Sequence, residues 1–99
     1  MPPEENTETP TEEQIVTIIA KFKADILWDE IVGIFEKVPA EVKRALEKQY
    51  EASLLGAADK LGKTTDELKK EVDEKAFEMV NGRSFKQDDI DARLKEYQS

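Results

Sequence analysis

Ninety-nine residues, 38% apolar and 38% charged, fit one small globular domain and exclude a disordered chain. The absence of cysteine and histidine excludes a disulfide framework, a thiolate nucleophile and the commonest general base and zinc ligand. A net charge of −8 sets the chain against phosphate backbones and anionic lipid, and makes a basic protein the favoured charge match.

The first ten residues, MPPEENTETP, carry no apolar side chain after Met1 and cannot offset the entropy of ordering. They are expected to form a flexible, disordered acidic tail ahead of a single helical domain over 11–99. No basic stretch leads into an apolar run, and no run approaches the roughly 20 residues of a membrane span. An intracellular, cytoplasmic protein without membrane contact is expected.

Thr11 can cap a helix, with Gln14 three residues on to complete a capping box and Glu12 and Glu13 at the positive end of the dipole. The stretch that follows is apolar-rich, but its stripe changes sides. At about 100° per residue, Ile15, Ile18, Ile19, Phe22 and Ile26 share one face. Leu27, Ile31, Ile34, Phe35 and Val38 fall roughly 150° away on the same projection. One straight helix with one core cannot satisfy both. The leading expectation is a break near Lys23-Ala24-Asp25, with Asp25 capping a second short helix and the chain forming a five-helix bundle. The other is an unbroken helix whose halves bury against different partners. In that case Leu27, Trp28, Ile31, Ile34 and Phe35 are the candidate partner-binding surface, since aromatic and aliphatic anchors dominate binding energetics.

Pro39 ends this segment, because a residue before proline is pushed out of the α region, and Pro39 itself suits the first position of a new helix. Val42, Leu46, Tyr50, Ser53, Ala57 and Leu61 then follow helical spacing to Gly62, a natural left-handed cap. Ser53, Gly56 and Ala57 form a patch where another helix could approach closely. Thr64 with Glu67 makes a second capping box, and Leu68, Val72, Ala76 and Met79 line one face of the helix it starts. Asn81-Gly82 ends that helix. Ser84 with Gln87 can cap a last one, carrying Ile90, Leu94 and Tyr97 as a narrow docking stripe. No hairpin or strand pattern appears, so the fold class is all-α: a small four- or five-helix bundle.

Chemistry is sparse. Gly56 to Thr64 resembles a phosphate loop only superficially, with five residues between the glycines where four are needed and no strand before them. Residues 45–80 have a degenerate helix-turn-helix spacing, but the would-be reading helix holds six acids and three bases over 65–78. Asp88, Asp89 and Asp91 lack the glycine and the distal glutamate of a calcium loop. The expectation is therefore no catalytic, cofactor or metal site, and a non-enzymatic module that binds another protein through an apolar helix face in acidic surroundings. A nucleic-acid-associated regulator is the alternative, although nucleic acid is disfavoured by charge. A self-assembling structural protein, with a homodimer as its simplest form, is the third.

Overall fold

Local capping chemistry starts two of the helices as its spacing dictates. The computed structural model describes residues 11–98, and in it the Thr11 side chain accepts from the Gln14 N–H while the Gln14 side chain accepts from the Thr11 N–H. Thr64 and Glu67 repeat the arrangement, and the Thr64 N–H and hydroxyl hold the Glu67 carboxyl below its usual range. The resulting elements are α1 (Glu12–Ile31), α2 (Ala40–Leu61), α3 (Thr65–Asn81) and α4 (Gln87–Gln98), with one 3₁₀ turn, Ile34–Glu36, between α1 and α2. No strand occurs among the described residues, and the fold is all-α. The acidic tail expected at 1–10 lies outside the described residues.

The expected break at residues 23–26 is absent: α1 runs unbroken from Glu12 to Ile31, and a four-helix bundle replaces the five-helix one. The helix stays whole because it is buried along two faces at once. One face carries Ile15, Ile19, Phe22 and Ile26. The other carries Val16, Ala20, Ala24 and Leu27, spaced i, i+4, i+8 and i+11. Ala20 and Ala24 are almost wholly buried (0% and 1% exposed), so the second face extends through both halves of the helix. A groove shared with Ser53, Gly56 and Ala57 places the Ile15–Ile19 face toward α2. A second cleft, shared with Glu71 and Lys75, places Val16 toward α3. The alanines let α1 and α3 approach closely.

The end of α1 also differs from expectation. It stops eight residues before Pro39, where Gly33 takes a left-handed conformation (φ 80°) that side chains with a Cβ avoid. Pro39 sits just before the first residue of α2, not within its first turn. Gly62 ends α2 in the left-handed conformation expected of it (φ 68°).

The core comprises the α1 faces, Tyr50, Leu54, Ala57 and Ala58 of α2, and Leu68, Val72, Ala76 and Val80 of α3. Lys63 ties the start of α1 to α3 by ion pairs with Glu12 and Glu71. Tyr50 donates to Asp73 at 3.5 Å between α2 and α3. Burial first, and the Asp73 carboxylate second, push the Tyr50 hydroxyl up to about 12 from 10.0. The unfolded chain therefore loses this proton first as pH rises. Stability present below about pH 10 should drain away between about pH 10 and 12. Urea midpoints across that range should fall less steeply for Tyr50→Phe than for the native chain.

Candidate functional site

The α1–α2 hairpin leaves an apolar groove open to solvent. The two helices run antiparallel, so the N-terminal half of α1 lies beside the C-terminal half of α2. Ile15, Ile18 and Ile19 form one wall, and Ser53, Gly56 and Ala57 form the other, with Lys60 at the end. The groove encloses about 550 Å³, and Ile18 stands at its edge 66% exposed. Thr17 and Gln14 continue the α1 side outward to Glu13. Gly56 sits in the middle of α2, where a Cβ would meet nothing within 4 Å. A glycine there costs about 0.5–1 kcal/mol relative to alanine, and no neighbour in the chain requires it.

The patch singled out in sequence is not a continuous surface. Trp28 and Ile34 are buried, Leu27 and Phe35 are half-buried, and Ile31 alone of the five is exposed. Trp28 and Ile34 lie outside the main core cluster. The cover over Trp28 comes from the chain itself. The Trp28 indole N–H donates to the Ser84 carbonyl at 3.0 Å, and its ring stacks against Phe85 at 6.4 Å. The Arg83 guanidinium lies over the same ring at 4.8 Å and pairs with Asp25 at 2.6 Å. Phe35 meets Tyr97 at 6.3 Å.

Beside Trp28 stands a residue that pattern reading missed. Asp29 is fully buried, and every polar partner it has comes from α4. Arg93 donates to it from Nε at 3.0 Å and from Nη2 at 3.0 Å, a bidentate clamp, and the Tyr97 hydroxyl donates as well. Burial first, and the hydrogen bond to Asp29 second, hold the Tyr97 hydroxyl well above its ordinary range. The signal in sequence is slight: an acid beside the only tryptophan, and an arginine and a tyrosine four residues apart near the end.

The outward-facing charged residues of α3 are Asp66, Glu67, Glu74 and Glu78 against Lys69 and Lys70, a net negative surface toward solvent. Such a face opposes contact with phosphate. Among the described residues no group of three or more acidic side chains is placed to hold a metal ion. No described helix is long and apolar enough to cross a membrane. No protein-family model matches the chain, and comparison with the curated proteins and with the solved structures yields no match.

Proposed function

We propose that the chain is a non-enzymatic interaction module that takes an amphipathic partner helix with basic flanks in the groove between α1 and α2. The observation that carries this reading is the open groove with an unfilled glycine in its wall. An apolar trough of helical width, bordered by an exposed isoleucine, matches the helix-in-groove mode of recognition. Burying Ile18 against a partner would gain about 1.5–3 kcal/mol. Gly56 and Ser53 would let the partner backbone approach α2 closely.

Charge selects the partner's flanks. The first 13 residues contain Glu4, Glu5, Glu8, Glu12 and Glu13 and no base, and this segment leads into the wall that bears Ile15 and Ile18. Basic residues on the partner would be steered there, raising the association rate at low salt. A chain without cysteine draws no stability from disulfides, which suits a reducing intracellular setting.

The test is a titration of isotope-labelled protein with a peptide of about five helical turns, leucines on one face and lysines on the other. Amide shifts should concentrate on residues 13–19 and 53–60. Ile18→Asp should weaken binding at least about tenfold, the equivalent of about 1.4 kcal/mol. Ile31→Asp, at an equally exposed site away from the groove, should not weaken it. Shifts spread over the whole acidic surface, or equal loss in both variants, would defeat the proposal. Self-association that moves the same amides as concentration rises would assign the groove to a second copy instead.

A further inference from the structure

Helix α4 is attached to the bundle in a way that no other helix is. None of its residues is fully buried; Ile90, Leu94 and Tyr97 are only half-buried. Its backbone makes almost no close approach to α1, α2 or α3, whereas those three meet one another extensively. What anchors it is polar: Arg93 and Tyr97 on Asp29, preceded by the Arg83–Ser84–Phe85 contacts over Trp28. A buried ion pair roughly breaks even, because desolvating both charges offsets their attraction. The clamp therefore specifies where α4 sits more than it strengthens the fold.

Release of α4 would also carry little penalty. Asp29 is satisfied only from α4, so undocking turns a buried carboxylate into a hydrated one and does not orphan it in the core. At 12 residues, α4 is too short to persist as an isolated helix in water, so undocking and melting coincide. The other three helices keep their shared core, to which α4 contributes no residue.

We infer that α4 is the resident, releasable occupant of a recognition cleft centred on Asp29 and Trp28, and that this cleft takes in trans a helix bearing an arginine and a tyrosine one turn apart. The chemistry of the occupant defines that of the ligand. A carboxylate at the cleft floor selects a guanidinium bidentately, a hydroxyl donor one turn on completes the set, and the indole and Phe35 accept aromatic rings. The tethered α4 competes at an effective concentration of millimolar order, so the cleft opens to another helix only when α4 is displaced. This site is separate from the α1–α2 groove, and neither proposal depends on the other.

Trp28, the single tryptophan, reports on the cleft directly. In the full-length native chain, hydrogen exchange should show α4 amides on the order of 100-fold less protected than those of α3, through openings that leave the bundle intact. Arg93→Glu, which sets a like charge against Asp29, should red-shift Trp28 emission while far-ultraviolet dichroism loses only the contribution of α4. Adding a synthetic peptide of residues 83–98 to this variant should restore the native emission saturably. The same peptide carrying Arg93→Glu should not restore it. Exchange of α4 only through global unfolding, cooperative loss of the whole fold in Arg93→Glu, unchanged emission in that variant, or no rescue by the native peptide would each overturn the inference.

Discussion

Leu68→Ala should cost about 2–5 kcal/mol of stability, the range for emptying a large aliphatic site that cannot collapse around the cavity. Leu68 is fully buried on α3, the helix that packs against both α1 and α2. A domain of this size has only about 5–15 kcal/mol in total, so the loss is a large share of it. The thermal midpoint should fall by about 10 °C or more, at roughly 4–8 °C per kcal/mol. Phe77 provides the contrast, being a larger apolar residue on the same helix that is 58% exposed. Phe77→Ala should stay within about 0.5 kcal/mol of the native chain. Urea unfolding followed by circular dichroism measures both, and equal losses would mean that α3 presents a different face to the core.

Enlarging the small residues of α1 should be nearly as damaging. Ala24→Leu adds three carbons at a site 1% exposed, on the face turned toward α3, where Ala76 is itself fully buried. Overpacking of this kind costs about 1–3 kcal/mol, and more where neither helix can retreat. Ala20→Leu should behave alike. Ala52→Leu, at an exposed position of α2, should change stability little. The comparison separates helix propensity from packing, because all three substitutions put leucine into a helix for alanine at similar intrinsic preference. Urea midpoints that fell equally for Ala24→Leu and Ala52→Leu would remove the close α1–α3 approach.

The two alanines also explain why the shape of α1 could not be read in advance. Its stripe looks split because the large residues of the second face, Leu27 and Trp28, occur only in the second half. Val16, Ala20 and Ala24 extend that face to the start of the helix, but alanine carries too little apolar area to stand out in a hydrophobic pattern. The candidate partner patch failed as a surface for a related reason. Residues 27–35 are covered in part by a segment more than 50 positions away, held by polar contacts that no hydrophobic periodicity encodes. The open groove was half visible, through the small residues Ser53, Gly56 and Ala57. That Ile15, Ile18 and Ile19 would face them depended on the antiparallel return of α2.

Sequence alone determined the all-α class, the capping boxes at Thr11 and Thr64, the glycine end at Gly62 and the buried stripe Leu68–Val72–Ala76. Each of these depends on groups within about four residues of one another along the chain, so the local sequence contains every atom involved. Only the tertiary structure decided that α1 stays whole, that Asp29 is buried under Arg93 and Tyr97, and that one groove stays open. Those outcomes depend on how closely two helix backbones can approach and on which distant side chain reaches a charge. Both are set by the assembled shape of the bundle.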